Sequence, residues 1–573
     1  RAQDDPDPAP QTAPAPRRDA NPSQHPPTPA AYGPLRARAR RLGVALLAAL
    51  AVALPSTATA RAATASATTS ARDALLARRG VTLAVKRHWI APDEAYRYRV
   101  DVTRAVSDIS RLPTLRGRII AVQLQQVTAL WDSYTKPRAL ALFSQLAENL
   151  DYLETHIIPP GRIDVADDEG VVYRWFPGMG LEFHPLAAFG ALNAAALAQD
   201  TERTAALSTA LLERAIPRGN RLIWEYSFNF GFGQPPWASG MAQAVAAQAL
   251  ARASALLDDP TLAAAAARAY AAVPPLTLQL STGPWVQLYG FNREIVLNAQ
   301  LQSVLSLLQY ADDTGDTAAG ALAQRLDVAA QALLPRFDTG DWSLYELGGA
   351  YATKEYQLFV TQLLAKLAAK TQDPFWIDAS QRFHGYYYDP PAVTPGASPP
   401  TIYPQPLDGF LDVAQIPVTL SQNASVTLAV AGQVTTFRLT RGAHTLTWTP
   451  PADIAQGTYP AQISATNRAG RRTTVTLPPV VVAWDTAPPV VVAQLQPGTL
   501  AWQGTDPGTP TLALHVDFTD PNGVNPPQTV DLGSQSLVGS APLTVPPGTW
   551  QANLVATNSA GLASTVDLGV VTG

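Results

Sequence analysis

Residues 337–345 read FDTGDWSLY and lie between two segments in which apolar residues recur at helical spacing. They contain an Asp-Thr-Gly triplet at 338–340, and a second such triplet stands at 313–315. In an aspartic protease, two aspartates on tight loops between apolar strands share a proton across a cleft. Both triplets here follow helical patterns and lie only 25 positions apart, which argues against a protease. The stretch instead predicts a loop that presents tyrosines into the cleft of a helical domain, with Tyr356 at the start of the next helix.

Helical periodicity extends on both sides of this stretch, from about residue 89 to residue 390. Connections are short, and strand patterns occur only near 171–176 and 222–232. Around ten helices, rich in alanine and able to pack closely, favour an α/α barrel or toroid whose mouth is a cleft. Aromatic residues crowd the connecting segments, and flat apolar sugar faces stack on such rings. The cleft is therefore predicted to bind carbohydrate, with ordinary inter-helix core as the alternative for any single ring.

The periodicity changes to two after a proline-rich segment, residues 391–406, which is predicted to be a linker. Beyond it the phrases GTYPAQISATNRAG and GTWQANLVATNSAG occupy equivalent late positions in two blocks. This internal repeat of roughly 85–90 residues predicts two immunoglobulin-like β-sandwiches, at 407–485 and 486–573. The predicted fold class is an α/α toroid domain followed by two β-sandwich domains.

The N-terminal part resembles an export signal at residues 36–62. A basic run, RARARR, precedes thirteen largely apolar residues, which are too few to span a bilayer. Small residues follow Pro55, and they make the alternative of a core helix unfavourable. Residues 1–35 are predicted to be disordered and 63–88 to be a linker. The mature protein is thus expected to be secreted or held at the cell envelope, without a membrane span after signal cleavage.

The composition excludes several kinds of site. The 573 residues include no cysteine, which rules out disulfides, thiolate nucleophiles and zinc–cysteine sites. The seven histidines share no metal-ligand spacing, and no Walker loop, dinucleotide fingerprint or serine-hydrolase elbow occurs. A formal net charge of −4 gives no indication of nucleic-acid binding. The sequence therefore predicts no metal, no cofactor and no nucleic-acid partner.

Two polar residues near the cleft loops are predicted to have structural roles. His184, in GLEFHPLAAFG, is expected to form a hydrogen bond at the start of a helix. Asp338 is expected to cap the end of a helix or to fix the turn at Gly340.

Four segments of the helical region form an ordered set. They are VVYRWFPGMGLEFHPLAAFGALN (171–193), FGQPPWASGMAQAVAAQALARA (232–253), VQLYGFNREIVLNAQLQSVLSLLQYADDTGD (286–316) and FDTGDWSLYELGGA (337–350). Together they resemble the C-terminal domain of the D-glucuronyl C5-epimerases, which convert glucuronate to iduronate in heparin-type chains. The resemblance covers about residues 165–385 and implies an epimerase-like domain at 89–390. It implies removal of the C5 proton, α to the carboxylate, and return of a proton to the opposite face of the ring.

The resemblance also implies which residues carry the reaction. In the family, tyrosines transfer the protons with the help of a glutamate, and Tyr289 and Tyr345 match two of these tyrosines. Tyr356 matches a third after a one-residue shift. Leu288 stands where the family has its glutamate, so Glu294 or Glu225 is expected to replace it, and Glu294 is the predicted catalytic residue. The predicted substrate-binding residues are Arg174, Arg293 and Lys354, for the substrate carboxylate, together with Trp237 and Trp342.

Two other functions stay open. Proton abstraction followed by loss of the C4 substituent would make the protein a polysaccharide lyase, and paired carboxylates would make it a glycoside hydrolase. A glycan-binding protein without turnover is favoured by Leu288 and by Gly348, which replaces an arginine of the animal enzymes. The expected partner is in each case a polysaccharide, containing uronate for the epimerase. A homodimer is an open alternative for the assembly.

Overall fold

A computed structural model describes residues 67–573, with side chains from residue 70 onward. The described part of the chain is a helical domain followed by a strand-rich C-terminal region, which confirms the order predicted from the change in periodicity. The predicted disordered segment 1–35 and signal peptide 36–62 lie outside the described residues. No helix within residues 67–573 is both long enough and apolar enough to cross a membrane.

Twelve α-helices lie within residues 67–573. They are α1 (Ala67–Lys86), α2 (Pro92–Arg111), α3 (Thr114–Ala129), α4 (Lys136–Thr155), α5 (Pro185–Leu197), α6 (Thr201–Glu213), α7 (Gly240–Leu257), α8 (Pro260–Tyr270), α9 (Leu297–Thr314), α10 (Thr317–Phe337), α11 (Lys354–Thr371) and α12 (Pro374–Tyr388). Several begin at a residue whose side chain accepts a hydrogen bond from the first turn, which satisfies a backbone N–H that has no partner inside the helix. Such caps are His184, Asp200, Ser239, Asp259, Asp316, Thr353 and Asp373.

Four of these helices, α5, α7, α9 and α11, pack side by side in chain order. Each is followed along the chain by a helix that packs against it, namely α6, α8, α10 and α12. Small side chains permit this close packing, and α7, with the sequence GMAQAVAAQALARASALL, is buried along most of its length. The result is a two-layered array of helical hairpins. Closure of this array into the predicted toroid stays a prediction.

Short strands in the helical domain belong to the segments between helices. They are β1 (Asp164–Ala166), β2 (Val172–Phe176), β3 (Gly180–Phe183), β4 (Ile216–Arg218), β5 (Arg221–Ile223), β6 (Thr277–Leu280) and β7 (Gly283–Val286). The strand predicted near 171–176 is therefore present as β2. The pattern near 222–232 is regular only in β5, and isolated bridges such as Tyr226 to Trp237 replace a continuous ladder after it.

The linker predicted at 63–88 is wrong over most of its length, because α1 occupies residues 67–86. Ala74, Ala77, Val81 and Ala84 recur at helical spacing and are buried in the core of the helical domain. Their small side chains make a weak apolar pattern in the sequence, yet they allow α1 to pack against α2 and α3.

The C-terminal region contains two β units. The first consists of β8 (Val393–Pro395), β9 (Ala414–Leu420), β10 (Ala424–Val430), β11 (Gln433–Leu439), β12 (Gly442–Trp448), β13 (Gly457–Thr466) and β14 (Arg472–Val482). The second consists of β15 (Val490–Gln496), β16 (Thr499–Thr505), β17 (Thr511–Thr519), β18 (Gln528–Ser536), β19 (Val538–Pro542), β20 (Thr549–Thr557) and β21 (Ala563–Thr572). Buried and exposed residues alternate along most of these strands, as period two requires.

The internal repeat has a structural counterpart in the two units. Each has one four-stranded sheet, in the order β11-β10-β13-β14 in the first unit and β18-β17-β20-β21 in the second. The repeated phrases form β13 and β20 with the turns that follow them, which are corresponding positions of the two sheets. Each unit also has a three-stranded sheet, and the apolar faces of both its sheets contribute to one core.

The predicted proline-rich linker at 391–406 is partly incorporated into the first unit. Strand β8 pairs with β9 at the edge of the three-stranded sheet, and Ile402 bridges to Val482. Proline is tolerated at a sheet edge because an edge strand leaves one row of backbone groups unpaired. The proline-rich composition therefore predicted a linker where the structure has an edge strand.

Candidate active site

The predicted site lies where the segments that precede α5, α7, α9 and α11 meet. His184 precedes α5, and its ring packs edge-on against Tyr226, in the segment before α7. Trp237 of that segment contacts Tyr289, in the segment before α9. Tyr289 in turn reaches Tyr345, in the segment before α11. Four connections far apart in sequence thus form one cluster.

Three tyrosines are brought together in this cluster. The hydroxyl oxygens of Tyr289 and Tyr345 lie 3.0 Å apart and share a hydrogen bond. The ring of Tyr356, in the first turn of α11, packs edge-on against the Tyr345 ring with centroids 4.7 Å apart. The buried Tyr356 hydroxyl has no hydrogen-bond partner at ideal geometry within the described residues. All three tyrosines that the resemblance singled out are therefore in one place.

Backbone hydrogen bonds fix the two loops that carry Tyr289 and Tyr345. The N–H of Leu297 donates to the carbonyl of Tyr345 over 3.3 Å, and the N–H of Leu347 donates to the carbonyl of Ile295 over 2.9 Å. The Tyr345 N–H donates to the carbonyl of Ala350 over 3.0 Å, which closes the loop on itself. The position of Tyr345 is therefore set by its own loop and by the loop before α9.

The Asp-Thr-Gly triplet has a structural role, as predicted for Asp338. Asp338 is the C-cap residue of α10, and its carboxylate accepts a hydrogen bond from the N–H of Gly340 over 2.9 Å. The same carboxylate accepts the hydroxyl of Tyr386 over 3.0 Å and forms an ion pair with Arg382 at 3.2 Å. Gly340 has φ +85°, a conformation that favours glycine. These contacts make the triplet a helix end and a tight turn, and they leave Asp338 committed to structure.

The tyrosines are neutral in this environment. Burial raises the pKa of Tyr289 and of Tyr356 well above the ordinary value, because it penalises the phenolate. Burial also raises the pKa of Tyr345, and neighbouring Tyr289 raises it further. At neutral pH, these three side chains therefore keep their hydroxyl protons.

Arg162 supplies positive charge to the cluster, and the sequence analysis missed it. Its charge acts against the rise in the pKa of Tyr289 and of Tyr356. The guanidinium lies over the ring of Phe176, 5.2 Å from the centroid, and burial lowers its own pKa. Arg162 follows a Pro-Pro-Gly sequence, and no motif identifies it, since the tyrosines that it affects lie more than a hundred residues further along the chain.

Glu294 is a carboxylate that acts electrostatically on both members of the Tyr289–Tyr345 pair. Its charge raises the pKa of both Tyr289 and Tyr345. Burial raises the pKa of Glu294 itself, and Glu346 adds to the rise, although the side chain retains access to solvent. The alternative, Glu225, is engaged elsewhere, because it pairs with Arg138 at 3.0 Å and also with Arg218.

His184 is a capping residue, as predicted. Its Nδ1 accepts the backbone N–H of Ala187 over 3.1 Å at the start of α5. Burial lowers the pKa of the imidazole well below the usual value, and the charges of Arg174 and Arg162 lower it further. The ring is thus neutral, with its proton on Nε2. His184 lines a cavity beside the tyrosines.

That cavity is narrow and mostly aromatic. The volume that admits the centre of a water molecule is about 20 Å³, which corresponds to roughly one water. Its walls are formed by Phe176, His184, Leu186, Tyr226, Phe228, Phe230, Trp237, Ser239, Leu288 and Tyr289. A sugar ring does not fit inside this volume. We refer to this narrow, partly open cavity and its ring-lined walls as the aromatic floor.

The predicted sugar-stacking residues are buried. Trp237 stacks on Tyr226 with centroids 4.1 Å apart, and its Nε1 donates to the carbonyl of Phe228. Trp342 is also buried, stacks on Tyr387 and donates to the carbonyl of Ala352. Phe232, two residues after Phe230 of this cluster, is instead fully exposed, at 102% of its reference area.

The three predicted carboxylate-binding cations are separated. Arg174 is buried and forms a two-pronged ion pair with Asp164, at 2.6 and 2.7 Å. Arg293 is exposed on the loop that carries Glu294. Lys354 is exposed at the start of α11, and its Nζ donates to the carbonyl of Ala469 in the first β unit over 3.5 Å. Only Arg174 also affects a site tyrosine, since its charge acts against the raised pKa of Tyr356.

Metal binding has no support in the described part of the chain. Within residues 67–573, no group of three or more His, Asp or Glu side chains is arranged to hold a metal ion. The residues gathered here are three buried tyrosines, with Glu294 and Arg162 acting on them electrostatically.

One family model matches part of the helical domain. Residues 218–385 match the family model described as the D-glucuronyl C5-epimerase C-terminus. The match confirms the predicted resemblance over that range and supports a carbohydrate-active protein. It includes all three site tyrosines and Glu294, whereas Arg162 and His184 precede it. The comparison with curated proteins finds no match.

Several solved structures are similar to parts of the chain. An endoglucanase from Komagataeibacter sucrofermentans is 14% identical, covers 34% of this chain and 70% of its own, and has a TM-score of 0.26. An endo-β-1,4-glucanase from Acetobacter xylinum is 18% identical, with coverages of 41% and 77% and a TM-score of 0.26. Fibronectin(III)-like modules from Clostridium thermocellum are 14% identical, with coverages of 31% and 94% and a TM-score of 0.16. We base no conclusion about function on similarities of this size.

Proposed function

We propose that this protein is a D-glucuronyl C5-epimerase-like enzyme that acts on a uronate-containing polysaccharide. The observation that carries the proposal is the hydrogen-bonded pair Tyr289–Tyr345, with Tyr356 against it, inside the segment that matches the epimerase model. C5 epimerisation needs a group that removes a proton α to a carboxylate and a second group that supplies one from the other side. A cluster of neutral phenols beside a carboxylate contains both kinds of group.

The charge states assign the roles. Glu294 has a raised pKa but loses its proton more readily than any tyrosine, so it is the base that takes the C5 proton. The electron pair of the C–H bond passes into the substrate carboxylate as an enolate-like intermediate. The Tyr289–Tyr345 pair then donates a proton to C5 from the opposite face and is left with one negative charge. Transfer of the proton from Glu294 to that phenolate through solvent restores the starting state.

The geometry of the tyrosine pair determines how it acts. Hydroxyl oxygens 3.0 Å apart leave no space for a sugar ring between them. The two tyrosines therefore serve one face of the ring as a single donor, and Glu294 serves the other. Charge that develops on the substrate carboxylate is stabilised by Arg162, whose charge already acts on the cluster.

The polysaccharide lies across the outside of the aromatic floor. The cavity admits about one water molecule, and Trp237 is enclosed by other rings, so neither receives a sugar. The ring of Phe230 contacts Tyr289 with centroids 5.0 Å apart. Phe232 follows Phe230 by two residues, and its exposed ring offers a stacking surface for a neighbouring sugar unit.

Proton exchange in deuterated water tests the reaction. The full chain is incubated with uronate polysaccharides in D₂O and followed by NMR, where deuterium at C5 indicates the epimerase. Tyr345→Phe is expected to lower the exchange rate by about 10²–10⁴-fold, the usual contribution of one proton-transfer group. Tyr270→Phe is a matched control, because Tyr270 stacks on Tyr310 away from the site. Deuterium exchange at C5 at the wild-type rate in Tyr345→Phe would refute the role proposed for Tyr345.

The pH dependence tests Glu294. Activity requires the carboxylate form, and burial raises the pKa of Glu294, so the rate is expected to fall as the pH drops through a value above the ordinary glutamate range. Glu294→Gln is expected to lose exchange at every pH. If Glu294→Gln keeps the rate and the acid limb of the wild-type profile, another group is the base.

A glycan-binding protein without turnover is the second candidate. It is favoured by Leu288, which lines the cavity where the family has its glutamate, and by the small volume of that cavity. It predicts binding with unchanged spectra in D₂O. A lyase would produce an unsaturated uronate in the same experiment. A glycoside hydrolase is less well supported, because Glu182 and Glu225 are held by other side chains.

The domain architecture and the location of the protein are part of the same proposal. The helical hairpins form an α/α toroid from about residue 67 to residue 390, and the two β units are immunoglobulin-like sandwiches. The export signal at 36–62 would bring the enzyme to the cell envelope or to the medium, where the polysaccharide is found. Detection of the processed chain outside the cytoplasm would test this location.

A further inference from the structure

The first β unit touches the loop that carries Tyr345. The contacts come from two of its turns, residues 421–423 between β9 and β10 and residues 467–470 between β13 and β14. These turns lie against the segment 338–353, which contains the Asp-Thr-Gly turn and Tyr345, and against the first residue of α11.

Arg468 holds this segment on both sides of Tyr345. Its Nε lies 3.3 Å from a carboxylate oxygen of Asp341, which is buried. Its guanidinium carbon lies 3.6 Å from the centroid of the Tyr351 ring, within the range of a cation–π contact. Asp341 precedes Tyr345 and Tyr351 follows it, so one side chain spans the loop.

Ala469 extends the contact to α11. Its carbonyl accepts the hydrogen bond from Lys354, at the first residue of that helix. Ala469 packs against a small apolar cluster formed by Trp342, Ala352 and Tyr356, and Tyr345 packs against the same cluster. The turn therefore reaches a cluster that involves two of the three site tyrosines.

Asn423 fixes the other end of the segment. Its side-chain amide donates to the carbonyl of Thr339 over 2.9 Å and approaches Asp341 at 3.4 Å. A Cβ on Gly340 would lie 3.2 Å from the Asn423 side chain, so the two turns fit closely. The amide oxygen of Asn423 accepts the N–H of Arg441 over 2.8 Å, which anchors it within its own unit.

We propose that the first β unit is part of the active site, and that Arg468, Ala469 and Asn423 position Tyr345 and Tyr356. Arg468 is a positioning residue, because it acts on the tyrosines through Asp341 and Tyr351. This assignment rests on the proposed function for its catalytic consequence, but the ordering of the loop does not depend on it. A unit that only spaced the domain from a surface would not need these contacts.

The test compares Arg468→Ala, Arg468→Lys and the wild-type chain by amide hydrogen exchange. In Arg468→Ala, the amides of Tyr345 and Ala352 are expected to exchange about tenfold faster, because local opening costs less when the loop is free on one side. Arg468→Lys is expected to restore part of the protection. Ser559→Ala changes the corresponding turn of the second unit and is the matched control, with no expected effect on these amides.

Kinetics supply the second measurement where C5 exchange is observed. Arg468→Ala is expected to lower kcat about tenfold and to change KM less than twofold, since the guanidinium does not touch substrate. Unchanged amide exchange at Tyr345 and Ala352 in Arg468→Ala overturns the inference. Faster amide exchange in a protein without C5 activity would refute the proposed function and leave the positioning role intact. If Arg468→Ala does not fold, Arg468→Lys and Asp341→Asn give the same comparison.

Discussion

The two β units use the same asparagine at the same turn, but they attach it to different surroundings. Asn467 and Asn558 each close their turn by accepting a backbone N–H four residues ahead, both over a distance of 2.8–2.9 Å. Each also donates from its side-chain amide to the segment that enters its unit. For Asn467 the acceptors are the carbonyls of Asp389 and Tyr386 and the amide oxygen of Gln422. For Asn558 they are the carbonyl of Ala487 and the carboxylates of Asp485 and Asp506.

The difference begins at the next residue. Arg468 follows Asn467 and reaches the helical domain, whereas Ser559 follows Asn558, and its N–H donates to Thr509 of its own unit. The asparagine thus serves the repeat, since it joins each unit to the chain before it. The residue after the asparagine differs between the two units and makes the contact that suits the surroundings of each. A repeated turn can keep its structural residue and acquire a site-specific contact one position later.

The largest expected effect is a loss of stability when either asparagine is replaced. It separates the structural role that both asparagines share from the contact with the Tyr345 loop, which only the first unit makes. Asn467→Ala and Asn558→Ala each leave buried acceptors and a backbone N–H without a partner, and each is expected to cost about 2–3 kcal/mol of stability. Only Asn467→Ala is expected to speed amide exchange at Tyr345, because its turn touches the site loop. Chemical denaturation and hydrogen exchange measure the two effects. Equal changes at Tyr345 in both variants would show that the contact is not local.

Much of the fold is predictable from the sequence because it depends on local patterns. The change from helical spacing to period two gives the order of the domains, and the repeated phrase gives the two β units. Helix α1 is not predicted because most of its core residues are alanines, which give a weaker apolar pattern than leucine or valine. Strand β8 escapes because proline indicates a linker until the edge of a sheet is known.

The site is predictable only as far as its motif extends. Tyr289, Tyr345 and Tyr356 follow from the resemblance, and the structure places them in contact. Arg162 does not follow from the resemblance, because its effect on the tyrosines arises from packing between segments far apart in sequence. Trp237 was predicted to stack on sugar, but neighbouring rings cover it, and ring burial in a loop has no sequence pattern.

A smaller effect tests whether Arg468 and Asp341 act together. Asp341 is buried and Arg468 is partly exposed, so the ion pair is expected to contribute about 0.5–1 kcal/mol. A double-mutant cycle with Arg468→Ala and Asp341→Asn measures this coupling by chemical denaturation. In the second unit, Ser559 stands at the position of Arg468 and has no charge with which to form an ion pair. Coupling near zero in the cycle would leave the Tyr351 contact as the main attachment of Arg468.

The smallest effect concerns the acceptors of the two asparagines. The second junction uses two carboxylates where the first uses an amide and backbone carbonyls. Burial raises the pKa of Asp485, and the nearby charge of Asp506 raises it further. A carboxyl group whose folded pKa is raised contributes stability that is complete below its unfolded pKa and is lost as pH rises through its folded pKa. The second unit should therefore lose a few tenths of a kcal/mol, because solvent screens the pair, as the pH rises from the ordinary aspartate pKa through the raised pKa of Asp485.

Asp485→Asn removes this pH dependence, since an amide keeps an acceptor for Asn558 without a charge. Calorimetry across that pH range should show a decline in the unfolding transition of the second unit in the wild type and a smaller decline in the variant. The first unit has Gln422 where the second has Asp506, so its junction lacks this pair of carboxylates and should show no such contribution. An identical decline in the wild type and in Asp485→Asn would assign the pH dependence to other carboxylates. The repeat would then differ at its junctions only in geometry and not in charge.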